Sequence, residues 1–327
     1  MSLGGVRRTA LVTGAAGFIG SHLCDRLLAE GYEVVGIDNL MTGDLTNLAQ
    51  ALRDPHFHFQ VADVRDAVPV YAEVVFNFAS PASPVHYQAD PYATFTSNVL
   101  GTMRLMELAR GRQCMLVQAS TSEVYGDPTV HPQPEGYWGN VNPVGERSCY
   151  DEGKRAAETL LSDAQRMWGL DARILRIFNT YGPRMALGDG RVVTNFALQA
   201  LEGKPITLFG EGQQSRSFCY VDDLVEGVMG VVRLPKLDGP LNLGNPDELT
   251  VAQLAQLVLE LTGSKSVIEH RPGQKDDPKQ RRPDISRARA LLGFAPRTSL
   301  REGLQRTLSD LQARLAARAA ALKTPNA

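Results

Sequence analysis

The feature that most limits the fold is a trio of glycines at fixed spacing near the start of the chain. Thr9-Ala10-Leu11-Val12-Thr13 is a short apolar run, and Gly14-Ala15-Ala16-Gly17-Phe18-Ile19-Gly20 follows it directly. From Ser21 to Glu30, Leu23, Leu27 and Leu28 recur at helical spacing until Gly31 stops the pattern. Glu33-Val34-Val35-Gly36-Ile37-Asp38 then reads as a second strand. Strand, glycine turn, helix and strand in that order form a crossover unit, which closes right-handed and commits the chain to a parallel sheet. The turn needs glycine because the backbone bends sharply there and a ligand must approach it closely. The helix start adds unpaired N–H groups and the positive end of a dipole.

The same alternation continues. Phe57 to Val61, Val74 to Ala79, Cys114 to Ala119 and Ala172 to Ile177 are candidate strands, with helices over about Pro91 to Arg110 and Tyr150 to Trp168. Strands buried on both faces read as apolar runs of this kind. The fold class is therefore α/β: a Rossmann-like, doubly wound parallel sheet. After Gly182-Pro183 the pattern loosens into short strands such as Ile206 to Phe209, a charged loop from Pro272 to Pro283, and helices near Val251 to Leu261, Ser286 to Leu292 and Leu300 to Leu322. This second part reads as a smaller C-terminal α+β lobe. The expected division is 1–180 plus about 220–245 for dinucleotide binding, and 181–219 with 246–327 for the substrate.

Composition narrows the function. The net charge is -2, so no basic surplus points to nucleic acid or an anionic membrane surface. No run of about 18 apolar residues calls for a membrane span, and Met1-Ser2-Leu3-Gly4-Gly5 lacks the apolar core of a signal peptide. Cys24, Cys114, Cys149 and Cys219 are scattered without paired spacing, and the six histidines do not cluster. No metal site is expected, and a reducing, cytoplasmic setting fits.

Two groups of residues carry chemistry. In the first, Gly14, Gly17 and Gly20 shape a pyrophosphate cradle, and Asp38 ends the second strand. Asp38 can accept hydrogen bonds from both adenosine ribose hydroxyls and would repel a 2'-phosphate, while Asn39, Leu40 and Met41 bring no arginine to compensate. NAD is therefore favoured over NADP. Asp63 and Val64, after the third strand, are candidates for the adenine edge. In the second group, Tyr150 and Lys154 stand four residues apart, about one helical turn. A fixed ammonium favours a phenolate, so Tyr150 is a candidate base for a sugar hydroxyl. Ser120-Thr121-Ser122-Glu123 follows a buried strand at the end that faces the ligand crevice in such sheets, which aims Thr121 at the same place.

With these residues the chain resembles the extended short-chain dehydrogenase/reductases, the NAD-dependent epimerase/dehydratase family that acts on nucleotide sugars. The resemblance runs from about Thr9 to Leu304. Ala79-Ser80-Pro81-Ala82-Ser83-Pro84, Ser120 to Pro128, Cys149 to Arg155, Arg176 to Arg184, Asp189 to Val193 and Asn242 to Pro246 carry it, and they are similar to the branch that decarboxylates UDP-glucuronate to UDP-xylose. It implies C4 oxidation by NAD, loss of CO2 from the 4-keto sugar and re-reduction of C4. Tyr150, Lys154, Thr121, Ser122, Glu123 and Arg281 are the implied catalytic set, with Arg282 close enough to blur the last assignment. Glu123 is implied to stand near the substrate carboxylate, where repulsion would be relieved as CO2 leaves; the alternative role is to help route the proton to C5. Beyond the residues already named, the implied cofactor contacts are Phe18, Ile19, Gly43, Phe78, Ala79, Ser80, Asn98 and Thr180. Ser83, Asn179, Arg191 and Arg216 are the implied contacts to the UDP-sugar, and a homodimer through the helices at Pro91 to Arg110 and Tyr150 to Trp168 is also implied. Two other outcomes stay open: a 4,6-dehydratase, against which Ser122 stands where that chemistry wants an acid, and a 4-epimerase. A pure nucleotide binder would have no use for Thr121, Tyr150 and Lys154 together.

Overall fold

The computed structural model describes residues 7–66, 70–272 and 280–323. The first five residues and most of the 272–283 loop lie outside the described residues. The first half runs β1 (Thr9–Thr13), α1 (Phe18–Ala29), β2 (Glu33–Asp38), β3 (Phe57–Val61), β4 (Val74–Asn77), α2 (Pro84–Ala89), α3 (Pro91–Arg112), β5 (Met115–Thr121), α4 (Ser148–Trp168) and β6 (Ala172–Ile177). The second half runs β7 (Thr180–Tyr181), α5 (Val192–Leu201), β8 (Ile206–Phe209), β9 (Ser215–Ser217), β10 (Cys219–Tyr220), α6 (Val221–Arg233) and β11 (Leu241–Leu243). It continues through β12 (Glu248–Thr250), α7 (Val251–Thr262), β13 (Ile268–Arg271), β14 (Gln280–Arg281), α8 (Ser286–Leu292) and α9 (Leu300–Lys323).

Seven strands form one sheet in the order β11-β6-β5-β4-β1-β2-β3, and every neighbouring pair is parallel. The chain steps outward from β1 to β3, then crosses back to lay β4 on the other side of β1. That reversal opens a crevice at the carboxyl ends of the strands, which is where a doubly wound sheet takes its ligands. The sheet core is apolar because β4 is buried at every position and β5 at all but the first. The polar side chains inside it are paired: Thr13 donates to Asn77 at 2.9 Å and Asn77 donates to Gln118 at 2.8 Å.

The helices reach the sheet for local reasons. Asp90 caps α3 by accepting from the Ala93 amide at 2.9 Å, with Pro91 in the first turn. On α4 the buried residues Tyr150, Lys154, Ala157, Leu161 and Ala164 recur at intervals of three and four, with Gly153 beside them on the same face. Gly153 lets α3 come close, since a Cβ there would sit 3.2 Å from the Asn98 Cβ. Arg173 is fully buried on β6 and spans from Asp171 to the carbonyls of Val231 and Leu234, tying the end of α6 to the sheet.

The return of the chain through α6 to β11 adds the sheet's last strand beside β6. The remaining elements build a lobe from a β8–β13 pair, a β12-β9-β14 sheet, and α5, α7 and α9. One apolar cluster runs without a break from Leu175 and Val228 into Phe196, Leu208, Leu254 and Val258 of this lobe. Among the described residues no helix is long and apolar enough to cross a membrane.

Candidate active site

A cleft of about 870 Å³ lies between the carboxyl ends of the strands and the lobe. At one end is the glycine loop. Gly14 holds φ +72° and packs so tightly that a Cβ would sit 2.6 Å from the Phe78 carbonyl oxygen; one on Gly20 would run into the Gly14 carbonyl. Gly17 caps α1 in extended conformation with no side-chain hydrogen bond. The first amides of α1, at Phe18, Ile19 and Gly20, therefore open on the cleft instead of on a capping side chain. This is an anion cradle made of backbone, and it fits a dinucleotide pyrophosphate.

The rest of the predicted cofactor set divides. Gly43, Phe78, Ser80, Lys154 and Thr180 line the main cleft, and Asp38, Asn39, Val64, Ala79 and Ser80 line a smaller cavity beside it. Asp38 accepts from the Ala16 amide at 3.0 Å and the Leu40 amide at 2.8 Å. Burial raises its pKa, and those amides pull the other way. With the Gly17 amide as a third donor, the carboxylate still has lone-pair capacity for a further donor. Asp63 stands apart from both cavities: its carboxylate takes the Arg65 guanidinium and the Asn39 amide at 2.9 Å, and the Arg65 hydrogen bond holds its pKa well below the usual range. Asn98 is fully buried between α3 and α4, donates to the Thr94 carbonyl at 3.0 Å, and lines neither cavity.

At the other end β5 delivers Thr121 and the single helical turn Ser122–Tyr125. Thr121 caps that turn by accepting from the Glu123 amide. Lys154 donates to the Ala119 carbonyl at 2.8 Å and stands 5.8 Å from the centre of the Tyr150 ring. Both are buried. Burial acts on both groups of the pair. Desolvation pushes the Tyr150 pKa up, against a hydrogen bond with Thr121, and pushes Lys154 down to about 7.

Glu123 is held between two guanidiniums. Arg281 reaches it from the lobe with two hydrogen bonds, at 2.5 and 2.8 Å, and Arg147 adds a third at 2.6 Å. Burial favours the neutral acid, but the two guanidiniums outweigh it and hold the pKa down. The bare repulsion pictured between Glu123 and a substrate carboxylate is thus offset by two positive charges. Arg282 does not line the cleft, and its backbone amide donates to the Gln133 side chain at 2.8 Å.

Ser83 lines the cleft with its hydroxyl 2.9 Å from His86 Nδ1. Asn179, Arg191 and Arg216 line it as well. Arg191 is steered by Asp189 at 2.7 Å and lies over the Phe18 ring, beside the glycine loop. Arg216 on β9 stands in register with Arg281 on β14.

Two cleft residues had no place in the sequence reading. Arg147 sits three residues before Tyr150, a spacing that puts both on one helical face and was the available signal. Tyr87 stacks on Tyr150, with ring centres 5.2 Å apart and planes 6° from parallel, and its buried hydroxyl has no hydrogen-bond partner among the described residues. Nothing in its local sequence marks it.

Residues 10–244 match the model of the NAD dependent epimerase/dehydratase family. UDP-glucuronic acid decarboxylase 1 of Arabidopsis thaliana is 49% identical over 96% of this chain and 72% of its own length. UDP-glucuronic acid decarboxylase 6 of the same plant is 50% identical over 93% of this chain and 89% of its own length. Among solved structures, the UDP-glucuronic acid 4-epimerase of Bacillus cereus, in complex with UDP-glucuronic acid and NAD, superposes with a TM-score of 0.82 at 28% identity, covering 94% of this chain and 99% of that one.

Proposed function

The chain belongs to the NAD dependent epimerase/dehydratase family, and from that premise we infer that it decarboxylates UDP-glucuronate to UDP-xylose. Its cofactor is NAD and its substrate a UDP-sugar. The observation that carries the reading is the pairing of two facts: half-identity to UDP-glucuronic acid decarboxylases over most of the chain, and a carboxylate–arginine cluster standing beside Tyr150 and Thr121 in one cleft.

The residue roles below are our proposal. When bound, NAD supplies the oxidant for C4 and, after CO2 has left, the reductant that restores the C4 alcohol. The uncapped amides at the start of α1 and the Asp38 carboxylate hold its pyrophosphate and ribose. Tyr150 takes the proton of the sugar 4-hydroxyl, with Thr121 hydrogen-bonded to the same oxygen and Lys154 oriented by the Ala119 carbonyl. Tyr150 and Thr121 then donate to the oxygen of the 4-ketone, which lies beta to the C6 carboxylate, and stabilise the enolate as CO2 departs. Ser122, Glu123 and Arg281 face the C5–C6 end of the sugar and prepare C5 for protonation. Asn179, Arg191 and Arg216 hold the UDP phosphates, for which arginine forks are well shaped.

We assign residues 1–180 with about 220–245 to cofactor binding and 181–219 with 246–327 to the substrate lobe. We also propose a homodimer through α3 and α4, supported by exposed Tyr92 and Phe95 on α3 and Met167 on α4, and a reducing, cytoplasmic location, supported by four free thiols. Incubation with UDP-glucuronate and NAD, with CO2 and the product sugar measured, tests the function. UDP-xylose and CO2 are expected; UDP-galacturonate without CO2 would make the chain a 4-epimerase instead.

A further inference from the structure

Glu123, Arg147 and Arg281 form a closed three-member cluster whose parts come from different elements. Glu123 lies on the turn after β5, Arg147 on the loop ahead of α4, and Arg281 on β14 of the lobe. Glu123 Oε1 accepts from Arg281 Nη1; Oε2 accepts from both Arg281 Nη2 and Arg147 Nη2. All three are largely buried, with side-chain exposures of 16% for Glu123, 16% for Arg147 and 5% for Arg281. One carboxylate against two guanidiniums leaves the cluster with one net positive charge.

We propose that Arg147 is a positioning and selectivity residue, which pins Glu123 against Arg281 and supplies the surplus charge that favours a sugar carboxylate over an uncharged sugar at C6. The inference rests on the decarboxylase reading and deepens it. Arg281 alone would neutralise Glu123 and leave no net charge for an anionic substrate. Arg147 adds that charge from the sheet side of the cleft, on the loop ahead of α4. Burial strengthens the effect, because a charge in a poorly solvated pocket is felt more strongly than one in water. The other groups facing Glu123 are Asp151 and Tyr150 on α4 and Tyr87 on α2. Burial first and Glu123 second raise the Asp151 pKa to about 7, against Arg147 and Arg281, so Asp151 opposes the surplus wherever it is ionised.

The test compares wild type, R147Q and R147K. Wild-type CO2 release from UDP-glucuronate is measured first; its absence would defeat the decarboxylase reading itself. Given that activity, R147Q is expected to raise KM for UDP-glucuronate about tenfold while the inhibition constant of UDP-glucose changes less than threefold, an asymmetry rooted in charge. With one cation gone, the Glu123 pKa rises, so the acid limb of kcat/KM moves to higher pH. In an E123Q background the R147Q substitution should leave that limb unmoved. An R147Q protein that melts as wild type does, with wild-type selectivity and an unmoved acid limb, would overturn the proposal. If R147Q does not fold, R147K decides: it keeps the cation and loses the fork, so kcat should fall while selectivity holds within threefold, and a tenfold loss of selectivity there would also overturn it.

Discussion

At the glycine-loop end of the cleft the groups that meet a ligand are backbone amides, and at the sugar end they are side chains. The first end is written in one stretch: residues 14–20 make the turn and Asp38 closes it, with the Leu40 and Ala16 amides holding the carboxylate. The second end draws Ser83, Thr121, Arg147, Tyr150, Asn179, Arg191, Arg216 and Arg281 together across most of the chain. A site built of backbone is specified by where a side chain must be missing. A site built of side chains is specified by which charges can be held together away from water. The two ends should therefore fail in different ways when altered.

The largest effect is expected at the sugar end. Tyr150→Phe should cut kcat by roughly 10²–10⁴-fold, the range general acid–base groups contribute, while NAD still binds within threefold by calorimetry. A loss of NAD affinity as large as the loss of turnover would erase the distinction between the ends. Next is Gly14→Ala, where positive φ and the Phe78 carbonyl both oppose a Cβ. Backbone strain of this kind costs about 1–3 kcal/mol, so a lower melting temperature and weaker NAD binding are expected together, with the Tyr150 pH profile unchanged in whatever activity remains at saturating NAD.

A smaller effect belongs to Asp38→Asn. It should weaken NAD about tenfold, equivalent to about 1.4 kcal/mol, and narrow the preference over NADP, because the repelling charge is gone. Equal affinity loss for both cofactors would remove Asp38 from that role. Glu123→Gln should show a modest pH signature in thermal melts. The folded-state pKa of Glu123 lies below its ordinary 4.5, so its ionised form stabilises the fold fully above that value. The advantage of wild type over E123Q is then lost as the pH falls through the lower folded value. An advantage that grows on acidification would reverse the assignment. The smallest effect is at Tyr87→Phe: among the described residues the buried hydroxyl has no hydrogen-bond partner, so its removal should leave the melting temperature unchanged or slightly raised, and a clear drop would overturn that expectation.

The same division separates what could be read in advance from what could not. The glycine spacing, the apolar strands and the periodic face of α4 are local patterns, and they carry the fold class, the cofactor and the Tyr150/Lys154 pair. The pattern gave no warning that burial would act on that pair more strongly than the pair acts on itself: Lys154 is drawn down to about 7 and Tyr150 upward. Asp63 is a similar case. Its place after the third strand recommended it for adenine, but its nearest donor is Arg65, two residues on, and a nearby guanidinium satisfied the carboxylate first. Asn98 lies on the right helix, yet at a position turned under α4.

The sequence by itself determined the parallel sheet, the dinucleotide cradle and the phenol–ammonium pair, because each depends on patterns local to a short stretch of chain: a strand, glycine turn, helix and strand in succession, three glycines within residues 14–20, and two side chains one helical turn apart. Only the tertiary structure decided the state of Glu123, whose partner Arg281 lies 158 positions further along the chain, and the role open to Arg147. Desolvation and Coulomb attraction act through space, and which charges share a dry corner is fixed only when the lobe closes on the sheet.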